Sequence, residues 1–220
     1  IVMDGRLQVH GLTTSDAELL VPAVDGDKAV VVRVAASDLS LSPVSGIDPS
    51  AGLLVVDGDL LASSEPVPGS WDDAVTLAHR ALASELVGCG RAMLELARTH
   101  ALDREQFGRP IAAFQAIRHR LADALVALQA AHDLIAAAWE DGLAMSAAMA
   151  KALAGRSART AARHCQQVLA GIGFTIEHRL HLYVRRVLLL DQLLGSSRTL
   201  TKQLGEELLA SRTLPPLLPL

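Results

Sequence analysis

Up to about residue 66 the apolar positions fall in short β-branched runs broken by Gly, Asp, Ser and Pro; beyond it they recur every three or four residues. The first pattern predicts strands over Arg6–His10, Leu19–Pro22, Ala29–Val34, Leu39–Leu41 and Leu53–Val56, with Val56-Asp57-Gly58-Asp59-Leu60 as a hairpin turn. Five short strands make an incomplete barrel whose apolar faces need a second layer. Pro66-Val67-Pro68-Gly69-Ser70 then interrupts regular structure. Residues 1–66 therefore read as a partial β-domain, 67–71 as a linker and 72–220 as a helical bundle.

In the helical part Ser70 can cap a first helix, and Asp72 and Asp73 suit its positive end; the pattern runs to about Leu102. A second helix follows Pro110, with an apolar stripe of Leu121, Leu125, Leu128, Ala131, Ile135 and Trp139. A third, from about Ser146 to Ala170, is rich in alanine, which permits close helix approach, and Gly171 is expected to stop it. A fourth covers about Ile176 to Leu190 and a fifth about Arg198 to Ser211. The proline-rich tail from Leu214 cannot continue a helix. Long helices with short connections favour antiparallel neighbours. The expected fold is mainly α with a small β-domain: an up-and-down C-terminal bundle preceded by a partial β-barrel or sheet.

Composition narrows the function classes. Half of the 220 residues are hydrophobic, enough for a sizeable core. A net charge of −4 without a basic run gives no footprint for nucleic acid or an anionic membrane. The longest uninterrupted apolar run, Leu134 to Trp139, is far short of the roughly 18 residues of a membrane span. Cys89 and Cys165 each fall within a predicted helix, so packed, reduced thiols in a cytoplasmic protein are expected. Ile1 stands where an initiator methionine would, so further residues are expected to precede it.

Two stretches carry candidate chemistry. The first is Arg104-Glu105-Gln106-Phe107-Gly108-Arg109-Pro110-Ile111-Ala112-Ala113-Phe114-Gln115. Arg104 offers a permanently charged fork suited to a phosphate, Phe107 an aromatic surface, and Gly108 a tight turn into Pro110. Ile111 and Phe114 share a helical face, with Gln115 beside them to hydrogen-bond. The second is Gln167-Val168-Leu169-Ala170-Gly171-Ile172-Gly173-Phe174. Gln167 both donates and accepts, and the glycines leave backbone N–H groups approachable, so this helix end can receive a phosphate or an adenine edge. Taken singly, Arg104 is a solvated arginine, Gly171 a helix stop, and the Ile111–Phe114 face part of a core.

Their joint order and spacing resemble the C-terminal half of an acyl-CoA dehydrogenase: R-x-x-F-G, then F-Q, then Q-x-x-x-G-x-G-F, then Glu177 to Arg186, then Gly195-Ser196-Ser197. The resemblance covers about Asp72 to Leu209. The strand-rich start is similar, more weakly, to the later part of that family's middle β-domain, and the family's N-terminal helical domain has no counterpart. The resemblance implies FAD as cofactor, its ADP half gripped across a subunit boundary by Arg104, Phe107, Ile111, Phe114, Gln115, Gln167, Gly171 and Ser196.

It also implies a catalytic glutamate, which this sequence lacks. In many members that residue precedes a G-T-S stretch, where Leu194 stands here; in others it lies on the first long helix, near Ala78. Glu85 and Asp191 are the nearest carboxylates, about two turns and one turn away, so they are expected to point elsewhere. The flavin-ring strand of the family, with its Trp and Ser or Thr, corresponds to Val9-His10-Gly11. A chain able to clasp the ADP half, without base or ring pocket, is similar to one subunit of the actinobacterial acyl-CoA dehydrogenases built from two different subunits. The resemblance thus implies a hetero-oligomer with two copies of each chain, an acyl-CoA substrate with steroid side chains among the bulky thioesters, and an electron-transfer flavoprotein as electron acceptor. The alternatives are a homo-oligomeric dehydrogenase with Glu85 as a displaced base, and a cofactor-free scaffold. His178 and His181 share a helical face with His164 upstream, but no carboxylate or third ligand has metal-site spacing, and a solvated or core-edge role is expected.

Overall fold

A computed structural model describes residues 7–10, 18–25, 28–44, 46–57, 67–68 and 70–212. The chain divides into two compact units, Ile1–Val75 and Thr76–Leu220.

In the first unit β1 (Leu7–His10), β5 (Leu53–Asp57) and β4 (Ser40–Pro43) form an antiparallel sheet in that order. β2 (Glu18–Asp25) and β3 (Lys28–Ala35) pair as a hairpin from Glu18↔Ala35 to Asp25↔Lys28. The strands alternate as a half-buried sheet must: Leu19, Val21, Ala23, Val32 and Val34 turn inward while Leu20 and Arg33 face out. Their inner faces share one core with Leu39 and Val56, so hairpin and sheet cover each other as a partial barrel. All five strands expected from the sequence are present; the turn expected at 58–60, the tail from Leu214 and Gly11 lie outside the described residues.

The helices are α1 (Trp71–Asp103), α2 (Gln115–Asp141), α3 (Ala144–Leu169), α4 (Leu180–Gln192) and α5 (Ser197–Ser211). The Ser70 hydroxyl accepts from the Asp73 N–H at 3.3 Å, opening α1 as expected. Ala83, Leu86, Val87, Met93 and Ala97 of α1 line the core with Ala124, Leu128, Ala131, Ile135 and Ala138 of α2. The α2 stripe therefore differs from the sequence reading: Leu125 and Trp139 turn outward, and Trp139 instead packs under the Arg80 guanidinium, 5.1 Å from the ring centroid. Alanines 147, 150, 154, 158 and 161 bury the inner face of α3, where small side chains let neighbouring helices approach closely.

Among the described residues α2 alone has the length and mean hydropathy of a membrane-spanning helix. Its buried stripe belongs to the bundle core. Gly142, at φ 70°, ends α2, and the Asp141 carboxylate accepts from the Leu143 N–H and the Ser146 hydroxyl, folding the chain back into α3. Cys89 and Cys165 are buried and not joined in a disulfide, and burial pushes the Cys165 thiol up to about 12.

Candidate functional site

After α1 the chain makes a miniature hairpin, β6 (Glu105–Gln106) with β7 (Arg109–Pro110). Its two-residue turn has both φ angles positive, 53° at Phe107 and 72° at Gly108, the combination that suits a tight antiparallel reversal. Glycine takes that conformation freely, but a left-handed phenylalanine costs about 1–2 kcal/mol. The fold bears this cost to hold Phe107 out at the hairpin tip, 91% exposed, its ring meeting Phe114 edge-on at 6.1 Å. Arg109 covers the Phe114 ring at 4.4 Å. The backbone carbonyl of Arg104 accepts from the Ile111 N–H at 2.8 Å, closing the hairpin base and leading into a 3-10 turn over Ile111–Ala113. The second long helix therefore starts at Gln115 rather than directly after Pro110.

The hairpin faces the end of α3. There the stop differs from the expectation: Ala170, not Gly171, takes the positive φ of 51°, and a 3-10 turn follows over Ala170–Phe174. Gly173 is the sterically required glycine, since a Cβ would stand 2.9 Å from the Leu169 Cβ and 3.1 Å from the Gln166 carbonyl oxygen. Gly171 is exposed and open on the side where a Cβ would project, so its backbone is approachable.

Between hairpin and helix end lies an open groove of about 780 Å³. Arg104, Phe107, Ile111, Phe114, Gln167 and Gly171 all line it, so two stretches some fifty residues apart meet as one surface. Gln115 and Ser196 do not line it. Gln115 lies 3.4 Å from His119, and Ser196 caps α5 by accepting from the Thr199 N–H at 3.1 Å. Arg104 is exposed and forms no ion pair among the described residues. His100, which the sequence reading did not single out, also lines the groove; burial, then the His178 and Arg104 charges, hold its pKa below the ordinary histidine value.

A second cluster, also missed, is buried inside the bundle. Lys151 donates to the carbonyls of Asp191 and Gly195, each at 3.2 Å. The Asp191 carboxylate, itself fully buried, accepts from the Ser197 N–H at 3.0 Å and the Arg159 guanidinium at 3.0 Å. The His79 Nε2–H donates to the Leu194 carbonyl at 2.8 Å. Burial lowers the His79 pKa, the Leu194 carbonyl partly offsets this, and the Lys151 charge lowers it further. Burial likewise drops Lys151 to about 8, against the opposing pull of Asp191. These groups pin residues 191–197 while Leu194 sits at φ 54° and Gly195 at 101°. The only sequence signal was a lysine at an inward position of an otherwise small-residue helix face.

Asp191 thus points into the bundle, and Glu85 pairs with Arg186 at 3.0 Å. His178 Nδ1 accepts from the Leu180 N–H at the start of α4, and no three possible metal ligands gather among the described residues.

Bundle and preceding β-unit define the class: a mainly α chain whose C-terminal helical bundle follows a small β-unit and carries a polar-apolar groove. Residues 75–209 match the acyl-CoA dehydrogenase C-terminal domain. Over 191 residues the chain is 36% identical to the acyl-CoA dehydrogenase IpdE2 of Mycobacterium tuberculosis, covering 84% of this chain and 59% of that protein. It is also 36% identical to FadE34 of the same organism, over 84% of this chain and 26% of that protein. The ChsE4–ChsE5 complex from Mycobacterium tuberculosis superposes with a TM-score of 0.79 at 26% identity, over 90% of this chain and 56% of that one. A variant of the Tcur3481–Tcur3483 steroid ACAD gives 0.80 at 26%, over 89% and 56%. The chain belongs to the acyl-CoA dehydrogenase family. It spans little more than half the length of IpdE2 and of these two structures.

Proposed function

We propose that this chain is one subunit of a cytoplasmic, FAD-dependent acyl-CoA dehydrogenase complex, contributing contacts to the ADP half of a cofactor whose reaction centre is completed by a second, related subunit. The single observation that carries the reading is the groove uniting Arg104, Phe107, Ile111, Phe114, Gln167 and Gly171. These residues fit the group. Arg104 supplies an uncommitted guanidinium for a pyrophosphate, Phe107 and Phe114 apolar surface for an adenosine, and Gln167 with the open Gly171 backbone hydrogen bonds at its edge. When bound, FAD supplies the hydride acceptor for α,β-dehydrogenation of an acyl-CoA.

The paired-subunit assignment draws support from the likeness to the ChsE4–ChsE5 complex and to Tcur3481–Tcur3483, described as a steroid ACAD. On that footing the substrate class is a bulky acyl-CoA, steroid side chains included, and the electrons pass to an electron-transfer flavoprotein. Leu194 cannot accept a proton, and Glu85 is engaged with Arg186, which supports a base on the partner.

The test is co-purification and flavin content. The chain expressed alone is expected to be poorly soluble or colourless, and yellow when co-expressed with a dehydrogenase-like subunit that carries the glutamate. A soluble, yellow homo-oligomer with stoichiometric FAD and activity overturns the paired reading; a colourless, stable complex overturns the cofactor reading.

A further inference from the structure

A second groove, of about 420 Å³, lies between α3 and α4 and plays no part in the proposed cofactor contacts. Arg156, Arg159 and Arg163 line it, spaced three and then four residues apart, so they fall on one face of α3, with Gln166 one step further. All three arginines are exposed. α3 contains four cations and no acidic residue in its 26 residues, within a chain of net charge −4. Like charges at these spacings repel, and among the described residues Arg159 alone of the three has a carboxylate partner, the buried Asp191. Among the described residues neither Arg156 nor Arg163 forms an ion pair.

The rest of the lining fits an amphipathic anion. Thr160, Gln166 and Ser197 offer hydrogen-bonding groups, while Ala162, Val184, Val187 and Leu188 make an apolar floor. A concave surface lined by one sign of charge concentrates counter-ions, and guanidinium forks bind phosphate oxygens bidentately. Three forks suit a di- or polyphosphate better than a lone carboxylate, and the floor can accept a flat base. The volume lies within the range of small-molecule sites.

We propose that the α3–α4 groove is an anion site for a phosphate-bearing nucleotide, held by Arg156, Arg159 and Arg163. Ser197 lines the groove and also donates to Asp191, the partner of Arg159, so an anion drawing on Arg159 would be felt directly by the contacts that fix residues 191–197. The inference stands independently of the FAD reading.

The experiment is titration calorimetry of the full chain, with its partner subunit if solubility requires one, using ADP and inorganic pyrophosphate as probes. It is run on an Arg104→Ala background so that the first groove does not contribute. Saturable, one-site ADP binding is expected, at least threefold tighter than pyrophosphate. The double variant Arg156→Gln/Arg163→Gln is expected to weaken it at least tenfold, and the charge-matched control Arg91→Gln/Arg98→Gln less than twofold. Pyrophosphate binding as tightly as ADP overturns the nucleotide assignment. Absent saturation, or an equal loss in the control, overturns the site.

Discussion

The Lys151 ammonium, fully buried, donates to the Gly195 carbonyl at 3.2 Å across 44 residues of sequence. A charge so placed has a cost that depends on pH. Its folded pKa, about 8, lies below the ordinary 10.5, so between these values the unfolded chain holds more protons and stability rises with pH. The destabilisation is fully present below about pH 8 and fades toward 10.5. Unfolding free energy relative to Lys151→Met is therefore expected to climb by up to about 3 kcal/mol across that window. A flat difference between the two proteins, measured by urea unfolding at several pH values, would show that Lys151 keeps an ordinary pKa.

Gly155 faces the Asp191 carboxylate so closely that an added Cβ would overlap Oδ1. Asp191 is also committed to Ser197 and Arg159, so it has no free direction in which to retreat. Gly155→Ala is expected to destabilise the chain by about 1–3 kcal/mol despite the better helix propensity of alanine, as overpacking does elsewhere. A denaturation midpoint equal to or above that of the native sequence refutes this.

Phe107 trades local stability for an outward ring. Asparagine tolerates the left-handed conformation, so Phe107→Asn is expected to leave the melting temperature unchanged or raised while lowering flavin retention in the complex. Opposite movements of the two readouts separate a ligand role from a structural one. Retained flavin with a lowered melting temperature would assign Phe107 to the fold alone.

Arg104→Ala is expected to weaken FAD retention by about 2–4 kcal/mol, the scale for losing one member of a desolvated charge pair. Arg104→Lys should recover only part of this, because a point charge replaces a fork. Flavin absorbance after gel filtration of the complex is the measurement, and unchanged flavin in the alanine variant leaves Arg104 merely solvated.

Glu85→Gln is expected to change turnover of the reconstituted complex by no more than about threefold, since the loss of a true general base costs about 10² to 10⁴. Steady-state oxidation of an acyl-CoA with an artificial acceptor, after checking flavin content, decides it. A hundredfold fall would make this chain catalytic in its own right.

Periodicity and the Gly and Pro breaks foresaw the five strands and the five long helices, because burying one face imposes a period of two on a strand and of nearly four on a helix, but α4 starts at Leu180 rather than at about Ile176. The motif residues were legible too: Arg104, Phe107, Ile111, Phe114, Gln167 and Gly171 were named from order and spacing and meet in one groove. Ser196 and Gln115, named with them, lie outside that groove, Ser196 capping α5 and Gln115 beside His119, because position in the fold is set by contacts that spacing does not carry.

The positive φ of Ala170 in place of Gly171, and the outward turn of Leu125 and Trp139, were decided by tertiary packing, which overrides residue preference. The Lys151–Asp191–Arg159 cluster was likewise invisible in the sequence. Its partners are 32 to 44 residues apart and carry no local signature. A lysine in an alanine-rich helix looks solvated until the end of α4 and the turn after it bring the carbonyls of Asp191 and Gly195 to it. Side-chain type and spacing thus determined which surfaces must be covered and which residues could hold an anion; the close approach made possible by Gly155 and the alanines of α3 decided which polar groups share a buried space.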